Sequence, residues 1–307
     1  MTETRTAVVL MAYGTPRSAE QILPYYTDIR RGNPPSPEQL ANLTARYEAI
    51  GGLSPLAQRT EAQRVALQAA LDTAADGRYH VVLGLKHAAP FIEQAVDTLA
   101  DGGFGDVVGL VLAPHYSAFS VGQYLTRLSD AAALRHMTVR SIETWATEPA
   151  FVEFIARDLG AKLSTLPAET RVLFTAHSLP QRILSAGDQY PAQVRATAEL
   201  VAASLGLDDW ATAWQSAGRT TEPWLGPDIL EVIDDLAADG RTRSVLVSAV
   251  GFVADHLEVL YDLDIEAAAR ARQRGLAFAR TACVNDDPTV MSALAARVVA
   301  ADQTGRG

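Results

Sequence analysis

Arg171-Val-Leu-Phe-Thr-Ala-His177-Ser-Leu-Pro180 is the stretch from which the fold can be read. Arg171 to Ala176 is a short, almost continuously apolar run, as expected of a strand buried on both faces of a parallel sheet. It breaks at once into His177 and then Pro180. The same pattern recurs along the chain. Thr6 to Ala12 runs into Tyr13, Tyr79 to Leu85 into Lys86 and His87, and Asp106 to Ala113 into His115. Ser244 to Val250 leads towards Asp255 to Glu258. Met137 to Ile142, Ala211 to Gln215 and Leu276 to Ala282 complete eight predicted strands. Amphipathic stretches lie between them. In Pro37 to Ile50, Leu40, Leu43, Tyr47 and Ile50 recur at helical spacing and Gly51 is a stop signal. In Pro55 to Ala75, Ser54 is the expected N-cap and Pro55 the first helical residue.

Strands alternating with helices predict an α/β protein with parallel sheets covered on both faces. Four strands fall in each half. The expected architecture is two Rossmann-like domains, each a four-stranded parallel sheet flanked by helices, over residues 1–145 and 146–307. Ligands of such sheets bind beyond the carboxyl ends of the strands. His87, His115 and His177, three of the six histidines, stand there, and His256 lies slightly deeper in its segment.

Composition narrows the function. The 307 residues are 48% hydrophobic and 20% charged, enough to bury a sizeable core. A formal net charge of −10 argues against a nucleic-acid binder. The acidity is uneven, with net −2 over residues 1–145 and −8 over 146–307. Cys283 is the single cysteine, which excludes a disulfide scaffold, a four-cysteine zinc site and an all-cysteine iron–sulfur cluster. The opening residues lack the pattern of a signal peptide, and no run approaches the ~18 apolar residues of a membrane span. No transmembrane segment and a cytoplasmic location are therefore expected. Gly14 belongs to no G-x-G-x-x-G run, and no Walker signature is present, which weighs against a nucleotide enzyme.

Six segments carry candidate chemistry, and each also admits a purely structural reading. His177 is suited to accept a proton or bind a divalent metal, or its nitrogens are satisfied by backbone. Glu258, Asp262 and Glu266 are spaced by four, so they line one face of a helix beginning near Asp255. Such a ladder suits a hydrated cation, although a solvated acidic face has the same spacing. Tyr13 is placed at the crevice floor by the turn residues Gly14 and Pro16, or is a packed aromatic. Tyr25, Tyr26, Arg30, Arg31, Arg46 and Tyr47 combine flat rings with carboxylate-binding forks, a set that fits a flat apolar ligand with anionic arms or an ordinary surface. Leu112 to Val121, followed by Tyr124, and Trp214 to Pro227 read as rigid loops.

Taken together, MAYGTP, YYTDIRRGNP, RYEAIGGLSPLAQ, GLKHAAPFI, LAPHYSAFSVGQY, TAHSLP, WQSAGRTTEPWLGP and GFVADHLEVLYDLDIE resemble the ferrochelatases in order and spacing. The likeness runs from about Val8 to about Glu266. It implies a porphyrin cleft between the two domains and insertion of Fe2+ into a porphyrin. By resemblance, His177 and Glu258 are the catalytic pair on the metal-insertion side, where they receive Fe2+. Asp262 and Glu266 are an outer metal site. Tyr13 matches the axial ligand to product iron in the branch acting on coproporphyrin III, and Arg30, Arg46, Tyr47, Ser54 and Tyr124 match porphyrin contacts. The reaction implied is Fe2+ insertion into coproporphyrin III to give coproheme, with release of two pyrrolic protons. Porphyrin and Fe2+ are then substrates, and no permanent cofactor or iron–sulfur cluster is expected. Pathway logic adds transient contact with a coproheme decarboxylase, and a monomer is expected. A protoporphyrin IX ferrochelatase, a sirohydrochlorin cobaltochelatase and a non-catalytic porphyrin or haem carrier are the competing readings.

Overall fold

The computed structural model describes residues 5–75, 77–218 and 220–304. They form two compact units. Of the described residues, the first unit takes those within 5–113, 120–144 and 285–304, and the second those within 114–119 and 145–284.

The first unit contains β1 (Thr6–Ala12), α1 (Ile22–Ile29), α2 (Pro37–Ala49), α3 (Leu56–Ala74), β2 (Tyr79–Leu85), α4 (Ile92–Asp101), β3 (Asp106–Val111), α5 (Val121–Leu134) and β4 (Thr138–Ile142). Its strands form a parallel sheet in the order β2-β1-β3-β4, with Val9 opposite both Val82 and Gly109. All seven residues of β1 are buried, because the strand is paired on both edges and covered on both faces. Helix α2 starts at a capping box: Ser36 Oγ accepts from Gln39 N at 3.2 Å, and Gln39 Oε1 accepts from Ser36 N at 2.9 Å. At α3, Ser54 Oγ accepts from Leu56 N at 3.2 Å, which begins the helix one residue later than expected.

The second unit contains α6 (Pro149–Leu163), β5 (Thr170–His177), α7 (Arg182–Ser185), α8 (Tyr190–Leu205), β6 (Trp210–Gln215), α9 (Ile229–Asp239), β7 (Ser244–Ser248), a π-helix (Val259–Ala267), α10 (Ala268–Gln273) and β8 (Ala277–Arg280). Its parallel sheet has the order β6-β5-β7-β8, topologically the same as the first. β7 ends at Ser248 rather than Val250, because Val250 N turns back onto Ser248 O and Gly251 N donates to Thr175 O at 3.0 Å.

The chain then returns to the first unit through α11 (Pro288–Thr304). There Asp302 is fully buried, accepting from Arg78 at 2.6 Å and from the hydroxyls of Thr6 and Tyr79, each at 3.2 Å. A second short exchange crosses the division expected near residue 145. Residues 114–119 belong with α8 and the turn before it: Asp188 accepts from Ser117 Oγ and Ala118 N, and Gln193 Oε1 accepts from Tyr116 N.

One expectation is corrected. The segment bearing Glu258, Asp262 and Glu266 is not an α-helix from Asp255. Two α-helical residues, Leu257 and Glu258, lead into the nine-residue π-helix. A π-helix is rare and costly in hydrogen-bond geometry, and it is found mostly where a site requires it. No described helix is long and apolar enough to cross a membrane.

Candidate functional site

In the second unit, β5 delivers His177 as its last residue, opposite Gln215 at the end of β6. The imidazole Nδ1 lies 3.0 Å from Glu258 Oε2. The backbone around this pair is closely tied. Tyr190 Oη donates to the His177 carbonyl at 2.9 Å. Buried Gln215 accepts from Thr175 Oγ at 3.0 Å and donates to the Glu258 carbonyl at 3.3 Å. A Cβ on Gly251 would fall 2.7 Å from Ala176 Cα, so only glycine lets the segment after β7 pass this close to the end of β5. Ser216, in the left-handed region at φ 60°, donates its hydroxyl to Asp262. Asp262 is buried and Glu266 exposed, so the acidic residues run from the His177 pair towards solvent.

The electrostatics separate two histidines that share Glu258. Burial acts to lower the pKa of His177, but attraction to Glu258, its hydrogen bond and the charge of Asp262 outweigh burial, and the imidazole sits above its ordinary value. His256 has its Nε2 4.0 Å from the same carboxylate, and burial wins there and lowers its pKa. With its Nδ1–H held by Glu258, His177 keeps its Nε2 lone pair as a proton acceptor. Among the described residues no three His, Cys, Asp or Glu side chains converge to hold a metal ion.

The first unit carries Tyr13, Arg30, Arg46, Tyr47, Ser54 and Tyr124. Tyr13, 40% exposed just past β1, is held from two sides. Its ring centroid lies 4.6 Å from His87 and 6.5 Å from Tyr25. His87 Nδ1 is 2.7 Å from Asp28 Oδ2, and Tyr25 Oη donates to Gly14 O at 3.2 Å. Gly14 itself has φ 87°, and a Cβ there would meet Ala88 Cβ at 2.9 Å. Arg30 donates to Asn33 O and stands 5.8 Å over the Tyr26 ring. Arg46 on α2 is partly buried, whereas Tyr47, Ser54 and Tyr124 are buried.

His115 takes a structural place. It is 2% exposed, and its Nε2 donates to Thr197 Oγ at 2.8 Å, since that hydroxyl gives its own proton to Ala146 O at 2.7 Å. Its Nδ1 has no hydrogen-bond partner among the described residues, and burial pushes the pKa down to about 3. Sequence reasoning missed Tyr190, whose position at a helix start, away from any strand end, gave no chemical signal. It read Ser216 only as part of a loop.

The ferrochelatase family model matches residues 5–302. The chain is 43% identical over 296 residues to a protein named ferrochelatase from Herpetosiphon aurantiacus, covering 94% of this chain and 97% of that one. It is 42% identical over 299 residues to a protein named coproporphyrin III ferrochelatase from Halalkalibacterium halodurans, covering 96% of each. Among solved structures, the cobalt complex of the sirohydrochlorin chelatase SirB from Bacillus subtilis subspecies spizizenii superposes with a TM-score of 0.60 over 99% of this chain and 98% of that one. At 10% identity, that likeness speaks to the fold alone. The strand-end imidazole paired with a carboxylate thus sits within a sequence that matches one family almost end to end, and the chain belongs to the ferrochelatase family.

Proposed function

We propose that this chain inserts Fe2+ into coproporphyrin III to give coproheme. The reading is carried by His177 held through Nδ1 on Glu258, with Nε2 left as a base. Insertion replaces two pyrrolic N–H protons with one dication, so the ring loses two protons as it gains Fe2+. His177 Nε2 accepts the pyrrolic protons in turn. Glu258 stabilises the imidazolium that forms, Nε2 releases its proton to solvent before it accepts the second, and Fe2+ approaches along exposed Glu266 and Asp262. Imidazole and carboxylate suit Fe2+ without retaining it as thiolate would. The preference for coproporphyrin is supported by Tyr13, which is exposed and held by His87 and Tyr25 to ligate product iron, and by the names of relatives at about 42% identity. The protein needs no resident cofactor, acts as a cytoplasmic monomer and hands coproheme to a decarboxylase.

The test is an anaerobic comparison of Fe2+ insertion into coproporphyrin III and protoporphyrin IX, followed by absorbance. Faster turnover of coproporphyrin III is expected. Faster turnover of protoporphyrin IX reverses the substrate assignment. A binding shift without accelerated metallation makes the protein a carrier, and activity confined to sirohydrochlorin with Co2+ makes it a cobaltochelatase.

A further inference from the structure

A π-helix has poorer hydrogen-bond geometry than the α-helix that the same residues could form, so contacts from outside Val259–Ala267 must hold it. One face is held by the core: Val259, Leu263 and Ala267 are fully buried with Leu173, Val245 and Val247. That stripe does not choose between the two forms, because residues four apart share a face of an α-helix as well. The contact that does choose comes from Arg280, the last residue of β8. Its guanidinium grips Asp264 fork to fork, with Nε on Oδ1 at 2.6 Å and a terminal nitrogen on Oδ2 at 2.9 Å. The same terminal nitrogen reaches Asp255 Oδ1 at 3.1 Å, and the other donates to Thr281 O at 3.0 Å.

Asp255 and Asp264 stand nine residues apart in the chain. In one straight α-helix begun at Asp255 they would be about 13 Å apart along the axis, too far for a single nitrogen to touch both. The bridge is open only to the observed form, in which Asp255 lies in the loop ahead of Leu257. The brace is largely enclosed: the side chains of Arg280 and Asp255 are 15% and 17% exposed. Burial acts to lower the pKa of Arg280, but the bond and attraction to Asp264 outweigh it and hold the guanidinium above its ordinary value. Burial and the charge of Asp255 push the Cys283 thiol up to about 12, so it stays protonated and donates to Asp255. Two arginines of α10 do a different task. Arg270 and Arg274 both bond Asp234, at 2.7 and 2.8 Å, and fasten α10 to α9.

We propose that Arg280 is a positioning residue for metal insertion: by tying Asp255 to Asp264 it keeps this segment in its π form and fixes Glu258 against His177. The inference rests on the chelatase reading above and deepens it. His177 is delivered by β5, whereas Glu258 lies between the two braced carboxylates in sequence and takes its place from the segment they hold. Without the brace the segment relaxes towards an α-helix, which turns Asp262 and Glu266 relative to Glu258 and draws the Glu258 carboxylate from the His177 ring.

The test compares the wild type with Arg280→Gln, Arg280→Lys, Asp264→Asn and, as a control, Arg274→Gln. Anaerobic Fe2+ insertion into coproporphyrin III and amide hydrogen exchange of the free proteins are both measured. Arg280→Gln is expected to lower kcat about tenfold while KM for the porphyrin changes less than about twofold. Asp264→Asn, at an exposed position and so informative if Arg280→Gln folds poorly, should lower kcat about threefold. Lysine offers one point charge in place of a fork, so Arg280→Lys restores only part of the loss. Exchange should quicken over residues 255–267 and stay unchanged in β5. Arg274→Gln should keep the wild-type kcat. An unchanged kcat, or unchanged exchange over 255–267, in both Arg280→Gln and Asp264→Asn overturns the brace. So does a loss carried by KM or shared equally by Arg274→Gln. A wild type that does not insert Fe2+ overturns the chelatase reading and with it the role in insertion, and the exchange comparison then still decides whether Arg280 holds the π-helix.

Discussion

His115 provides a quantitative test of the second unit. Its Nε2–H is used by Thr197, and a proton added to Nδ1 finds no acceptor among the described residues, so the native state resists protonation down to about pH 3. In the unfolded chain the same imidazole takes a proton at about pH 6.5. Between these values the unfolded state binds more protons, so stability falls as pH falls. At pH 5 the difference amounts to about 2 kcal/mol relative to pH 8, from about 1.4 kcal/mol per pH unit over the interval below 6.5. All four tryptophans, Trp145, Trp210, Trp214 and Trp224, lie in the second unit, so their fluorescence reports its unfolding selectively. With a urea slope of about 2 kcal/mol/M, the wild-type midpoint should drop by about 1 M more between pH 8 and pH 5 than that of His115→Gln. The variant loses stability at both pH values by a constant amount and lacks the extra acid loss. Contributions from other groups, such as His256, cancel in the comparison. Equal drops in both proteins would falsify the assignment of His115 as a buried neutral imidazole.

Other outcomes follow from the site. His177→Ala should lower the metallation rate by about 100-fold or more while coproporphyrin affinity changes by less than about threefold; wild-type turnover would refute its role as base. Tyr13→Phe should change the absorption spectrum of bound iron coproporphyrin, and an unchanged spectrum rules out the phenol as axial ligand. Tyr190→Phe removes the hydroxyl that fixes the His177 carbonyl. Its kcat should fall with little change in KM, at a stability cost of about 1 kcal/mol, and an unaltered kcat means that the strand end is held without it.

The central strands β1, β3, β5 and β7 were legible because each is paired on both edges and buried, so each wrote itself as an apolar run. Thr6–Ala12 and Tyr79–Leu85 emerge with their expected bounds. The ends of β7 and β8 shift because turns and side-chain bonds, not apolar content, stop them. The pairing of His177 with Glu258 was accessible through motif resemblance, since the two stand 81 residues apart and no local pattern joins them. The π-helix was invisible: Glu258, Asp262 and Glu266 keep a four-residue spacing that an α-helix accommodates equally well. His115 had the same address as His177, just beyond a strand, and became structural only because Thr197, 82 residues away, meets it.

The return of α11 to the first unit sets an order of events during synthesis. Asp302 supplies the buried carboxylate that Arg78, Thr6 and Tyr79 require, yet it leaves the ribosome after every residue of the second unit. The second unit, complete by residue 284, has all its strands available earlier. The unit whose first strand is translated first is therefore the one that finishes assembling last, and a message truncated before codon 302 yields a chain whose N-terminal sheet has lost its closing charge.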